Sequence, residues 1–420
     1  MGFGIKRRIK GVIDKSIIIA SEKSLESHYE NVISNIRNRG SRKIRFAVYV
    51  VYDSTFGGNS IIKKMSESGS VWDPKIVIVP DIYRGKDFTL KTYLKTKEYM
   101  VSEYGEDMVL DGWNMADVYY DYTNDFDVIY YCNPYDDLVH KYHSIRHASS
   151  NQVLPIYVTY GYDISSFYTY ERLRSIAINS LWRCYTDTVF SYQDYLKHET
   201  RKGRNVKLIG YSKMDLLKDS LESTPPSERK NILITPHHTV NDRYLPLSNF
   251  LSYSDLILKL PELFADVDFV FRPHPLMFVN LVNNGIWTED DVESYIKMLK
   301  GKGIIYSSGG SYFDLFAKAD AIINDSGSFT IEWLFTGKPG CFVKNPNLSE
   351  SQLTNLMKKA ISKYSIAKSE ADIIAFVEKI ANNDCSTGEY VMDEWVKTNI
   401  AVNYPHVSEE LLIDLESSLV

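Results

Sequence analysis

Short apolar runs alternate with longer stretches of three-to-four apolar spacing along most of the chain. Residues 43–52, 75–80, 126–132 and 153–160 are apolar runs bounded by turn residues, the pattern of strands buried on both faces. Residues 59–68 and 86–104 carry helical spacing between them. Further strands are predicted near residues 188–190 and 206–209. The alternation restarts in the second half. Strands are expected at 231–235, 267–271, 303–306, 321–323 and 340–343. Helices are expected at 256–264, 290–299, 312–319, 349–363 and 369–381. Strands that alternate with helices predict an α/β chain built on doubly wound parallel sheets.

The pattern breaks at residues 219–230, a polar stretch with two adjacent prolines that reads as a linker. The expected organisation is therefore a lead-in at 1–42, a first Rossmann-like domain at 43–218, the linker at 219–230, a second Rossmann-like domain at 231–385, and a tail at 386–420 that returns to the first domain. In the first 20 residues, Lys6, Arg7, Arg8, Lys10 and Lys15 are interleaved with Ile5, Ile9, Val12, Ile13 and Ile17, with Asp14 the one acid. That is the pattern of a basic amphipathic helix, which suits an anionic membrane surface or a seat on its own domain.

Composition narrows the functional classes. With 420 residues the chain has room for two cores. A net charge of −6 argues against a general nucleic-acid binder. The cysteines, Cys132, Cys184, Cys341 and Cys385, are far apart, which argues against a zinc framework and favours a reducing compartment. No apolar run approaches the roughly 18 residues of a membrane span.

Candidate chemistry gathers at predicted strand ends. In a parallel sheet all carboxyl ends share one edge. In the second half that edge receives Thr235, His237 and His238, then Arg272 and His274, then Asn324, Asp325, Ser326, Gly327 and Ser328. Imidazoles, a guanidinium, hydroxyls and backbone N–H groups on one edge suit a pyrophosphate. Glu332, one helical turn further on, suits ribose hydroxyls. In the first half, Tyr160 and Asp163 follow the strand at 153–160, and Asp53 follows the strand at 43–52. His140, His143 and His147 have the spacing of one helix face. A polar face is the simpler reading of them than a metal site, because no zincin-type carboxylate accompanies them.

Arg272-Pro-His-Pro275 and the stretch from Asn324 to Pro339 resemble the CDP-glycerol glycerophosphotransferase family of teichoic acid and capsule polymer synthesis. Residues 232–236 and 126–135 are similar to further segments of that family. The resemblance runs from about residue 126 to 343. It implies a GT-B fold, two Rossmann-like lobes facing across a cleft, and a bacterial enzyme at the inner face of the cell membrane. The implied reaction transfers glycerol phosphate or a similar polyol phosphate from a CDP-linked donor to a polymer or lipid-linked acceptor, without metal or cofactor. It assigns His274 to the donor phosphates, Ser326, Gly327 and Ser328 to the pyrophosphate turn, and Glu332 to the ribose. The family's Trp-His-Gly segment matches Thr159-Tyr-Gly-Tyr-Asp163, where no histidine stands. Asp163 becomes the candidate base, with Tyr160 beside it to orient. A glycosyltransferase of the same fold using a nucleotide sugar, and a non-catalytic nucleotide-binding protein, are the alternatives.

Overall fold

A computed structural model describes residues 2–40, 43–67, 69–225, 227–383 and 391–420, and for residues 2–10 the backbone alone. Cys385 and the expected boundary at 385 lie outside the described residues. The chain forms two compact units. The first comprises Met1–Gly161, Tyr168–Asp215 and Asn399–Val420; the second comprises Tyr162–Phe167 and Leu216–Thr398.

The first unit holds seven parallel strands: β1 (Ile44–Val50), β2 (Trp72–Ile78), β3 (Val109–Asp111), β4 (Val128–Tyr131), β5 (Leu154–Val158), β6 (Arg183–Thr186) and β7 (Val206–Leu208). Their order is β3-β2-β1-β4-β5-β6-β7. Two strands contain proline, and register explains why the sheet tolerates it. β3 pairs with β2 only at Ile76–Ile78, so Pro74 has a neighbour on one side alone. Likewise β6 pairs with β5 only from Ile156 onwards, and on that side Pro155 uses its carbonyl, which accepts from Trp182 N–H (3.0 Å). A missing N–H costs no ladder bond at such edges.

One face of this sheet packs on the helices Gly2–Asn38 and Val407–Leu419, through Tyr29, Val32, Ile36, Leu411 and Leu415. The lead-in thus forms one continuous helix, Gly2–Asn38.

Sequence periodicity mislaid several elements. Thr188–Phe190, expected as a strand, starts a helix: the Thr188 side chain caps Val189–His198 by accepting from Ser191 N–H. The strand there is β6, just upstream. β3 was too short for its pattern to stand out. Residues 219–223 of the expected linker finish the helix Asp215–Ser223.

The second unit holds β8 (Lys230–Thr235), β9 (Val267–Phe271), β10 (Ile305–Tyr306), β11 (Ala321–Asn324), β12 (Gly340–Val343) and β13 (Ser365–Ala367). All are parallel, in the order β10-β9-β8-β11-β12-β13. Chain direction across this sheet reverses between β8 and β11. In doubly wound sheets the loops at such a reversal splay to opposite faces, and the carboxyl ends there are the usual ligand position. Among the described residues, no helix is long and apolar enough to cross a membrane.

Candidate donor-phosphate site

The polar residues predicted for one edge are brought together at the β8–β11 crossover. Asn324 and Thr235 end these strands as register partners. The turn after β11 therefore lies next to the β8 loop, with the β9 loop on the far side of β8.

Asp325 holds this corner. Its carboxylate is fully buried and accepts hydrogen bonds from His237 N–H (2.6 Å), Asn249 N–H (2.6 Å) and the Tyr253 hydroxyl (3.2 Å). Burial raises its pKa from 3.8 to about 7 against the pull of those bonds. With these partners Asp325 acts as a brace between loops, and the groups that face a ligand lie around it.

Three imidazoles stand beside it. One ring nitrogen of each of His237, His238 and His274 lies within 4.8 Å of the others. Hydrogen bonding fixes their tautomers. Leu276 N–H donates to His274 Nδ1 (3.1 Å), so that nitrogen bears no proton. The Asn280 amide nitrogen lies 3.3 Å from His238 Nδ1 and also donates to His238 O. His237 Nδ1 lies 2.9 Å from Thr239 Oγ1, which itself accepts from Leu247 and Ser248 N–H. The Thr239 hydroxyl proton is therefore left for His237. Each neutral ring thus carries its proton on Nε2.

A metal ligand needs the reverse arrangement, with the outer nitrogen donating its N–H to an acceptor. Three clustered imidazoles that carry N–H on Nε2 fit an anion instead. All three rings are held neutral by burial, His274 down to about 3.

The turn completes the floor. Ser326 N–H is taken by the Asn324 side chain (3.2 Å), and the Thr330 hydroxyl donates to Asn324 Oδ1 (2.6 Å) and Ser326 O (2.8 Å). A Cβ on Gly327 would stand 3.5 Å from His237 Nε2 and 2.4 Å from Ile164 Cδ1. The segment carrying Asp163 is therefore packed beside the turn. It is held there by Thr354, whose hydroxyl donates to Asp163 O (2.7 Å) and whose N–H donates to Ile164 O (3.0 Å).

Two candidates act as supports. Arg272 donates to Ser307 Oγ (2.9 Å) and Gly310 O (2.7 Å), which fixes the loop after β10. Glu332 is buried and accepts from the Tyr312 hydroxyl, and Arg272 sits over the Tyr312 ring. That Ser-Ser-Gly-Gly-Ser loop, with Gly309 and Gly310 at positive φ, was missed in the sequence although its composition marks a turn. Asn280, which holds the ring of His238, was missed as a site residue too.

Tyr160 belongs to the first unit, where Tyr211 donates to its carbonyl (2.7 Å). Burial raises its phenol well above the usual range, so it can donate a hydrogen bond but not serve as a base. His140, His143 and His147 do not share a helix. They fall across a 3-10 turn and a separate short helix. His140 stacks on Tyr119, His143 Nε2 meets Tyr120 O (3.1 Å), and His147 pairs with Asp121 (2.8 Å).

No protein-family description and no curated protein matches this chain. Solved structures do. TagF, a wall teichoic acid polymerase, superposes with a TM-score of 0.59 at 11% identity, over 98% of each chain. Staphylococcus aureus MnaA, solved with UDP, gives 0.56 at 12% identity over 90% of this chain and 98% of that one. The UDP-GlcNAc 2-epimerase of Methanocaldococcus jannaschii gives 0.55 at 12% identity over 90% and 100%. The two parallel sheets with their flanking helices thus form the GT-B-like pair of Rossmann-type domains seen in these proteins.

Two expectations follow. Thr235 Oγ1 and Asn324 Nδ2 are buried without a partner at the crossover. Thr235→Val should leave unfolding free energy unchanged or raise it by about 1 kcal/mol, while nucleotide affinity by calorimetry falls about tenfold. The Asp325 carboxyl, raised in the fold, adds stability that is complete below pH 3.8 and gone above about pH 7. Urea unfolding of Asp325→Asn should lack that decline, so the gap between wild type and variant shrinks as pH rises through this window.

Proposed function

We propose that the chain is a nucleotide-dependent transferase that moves a polyol phosphate, such as glycerol phosphate, from a CDP-linked donor to a hydroxyl of a surface polymer or lipid-linked acceptor. The observation that carries this reading is the cluster of three neutral imidazoles, with His237 Nε2 beside Gly327, at the β8–β11 crossover. Neutral donors held in a buried site, with no charge to dissipate, suit a diphosphate diester, whose charge does not change near neutral pH. The match to TagF over nearly the full length of both chains supports the class of acceptor.

In this reading the acceptor oxygen attacks the β-phosphorus. The new P–O bond forms as the bond to the α-phosphate oxygen breaks, and CMP leaves. The imidazoles hold the charge that develops on the phosphates. Asp163 takes the proton of the acceptor hydroxyl, and Tyr160 donates a hydrogen bond. Arg272 and Glu332 keep the loops around the nucleotide in place. An acceptor on a polymer or lipid puts the work at a membrane surface, at its cytoplasmic side.

A second reading has an observation of its own. The epimerase folds are nearly as similar, and MnaA holds UDP, so a UDP-sugar donor fits the same phosphate floor.

Turnover of CDP-glycerol beside a panel of UDP-sugars decides between them. Release of CMP with CDP-glycerol is the expected result; turnover of UDP-sugars alone would reject the phosphotransferase. His274→Gln should lower kcat/KM by about 100-fold, the loss of roughly 2.7 kcal/mol of transition-state stabilisation. Because burial lowers the pKa of all three imidazoles, donor affinity measured from pH 8 down to pH 6.5 should show no rise of the kind that imidazole protonation would give.

A further inference from the structure

The helix Gly2–Asn38 has two different sides. Ile18, Tyr29, Val32 and Ile36 are buried and lie within about 40° of one another's mean direction, at about 100° per residue. This side seats the helix on the first unit. Polar bonds reinforce it: Tyr29 OH donates to Ser180 O, and Arg201 pairs with Glu22 (3.4 Å) and Glu26 (3.3 Å).

The other side is apolar as well, but only near the amino end. Val12, Ile13, Ile17 and Ile19 are 67%, 53%, 47% and 57% exposed. Measured from Ile18, they and Ala20 fall between about 100° and 260°, centred opposite the seated side. The amphipathic pattern in the sequence is therefore not the one that packs on the protein. Four large aliphatic side chains within eight positions are left facing solvent, a costly arrangement without a partner.

We infer that this outward face docks on an anionic lipid surface, with the helix lying in the interface. Charge selects the occupant. The first 20 residues hold Lys6, Arg7, Arg8, Lys10 and Lys15 against Asp14, in a chain of net charge −6. Basic residues beside an aliphatic stripe match anionic headgroups above acyl chains. A second copy of the same helix would bring five more positive charges against these and repel. Among the described residues no helix is long and apolar enough to cross a membrane, and an aliphatic stripe along one side of a helix suits the interface plane. The inference stands apart from the donor site, because none of these residues belongs to it.

Flotation of the full chain with phosphatidylglycerol–phosphatidylcholine vesicles tests it. Binding to these vesicles is expected, with none to phosphatidylcholine alone, and 0.5 M salt should weaken it. The double variant Ile13→Ser, Ile17→Ser should lose at least tenfold in binding, with an unchanged melting curve and unchanged nucleotide affinity. Undiminished binding by that variant would overturn the inference. So would concentration-dependent self-association of the wild type in sedimentation that the same variant abolishes, since the face would then be a contact between copies.

Discussion

A single buried carboxylate sets the geometry on which the rest of the site depends. Asp325 gathers backbone N–H groups from the β8 loop and from Asn249, together with the Tyr253 hydroxyl. These come from two separate stretches of chain, the β8 loop and residues 249–253, and a buried carboxylate binds them where competition from water is weakest. By fixing His237 N–H it fixes where the His237 ring stands, and that ring shares its surroundings with His238 and His274. The charge is kept at the back of the site and the N–H donors at the front.

That separation explains why the residues brought together are of such different kinds. Groups facing the crossover are neutral and donate: three imidazoles set in one tautomer by Leu276, Asn280 and Thr239. Arg272, Glu332 and Tyr312 lock the loop after β10 to the helix after β11. A cation placed directly among the imidazoles would bind any phosphate strongly. Neutral donors of fixed direction favour the ester whose oxygens match their geometry. Asp163 enters through Ile164 and Thr354, which hold its segment against Gly327.

Much of this was legible in the sequence because parallel strands write themselves plainly. β8, β9, β11 and β12 are apolar runs ending at polar turns, so their loops could be assigned to one edge before any coordinates. Strand order was not legible. Reading His237, His274 and the turn as successive neighbours missed that β8 lies between β9 and β11. Side-chain direction was also hidden. Nothing in the one-dimensional pattern distinguishes Asp325, turned inward as a brace, from a residue that faces a ligand. The part played by Asn280 was invisible for a related reason, since it rests on a contact with His238 across 42 positions. At the amino end the sequence left two seats open for one helix. The structure shows a seated side and an exposed apolar side on the same element, which periodicity alone cannot separate.

The account turns on three imidazoles that offer Nε2–H to a phosphate. Nitrogen-15 NMR of the histidine side chains, recorded at pH 7 with and without CDP-glycerol, reads this directly. His237, His238 and His274 should all appear as neutral Nε2–H tautomers, and the nucleotide should shift their Nε2–H signals while leaving the tautomers unchanged. Rings found as Nδ1–H tautomers, or Nε2 signals indifferent to the nucleotide, would contradict it.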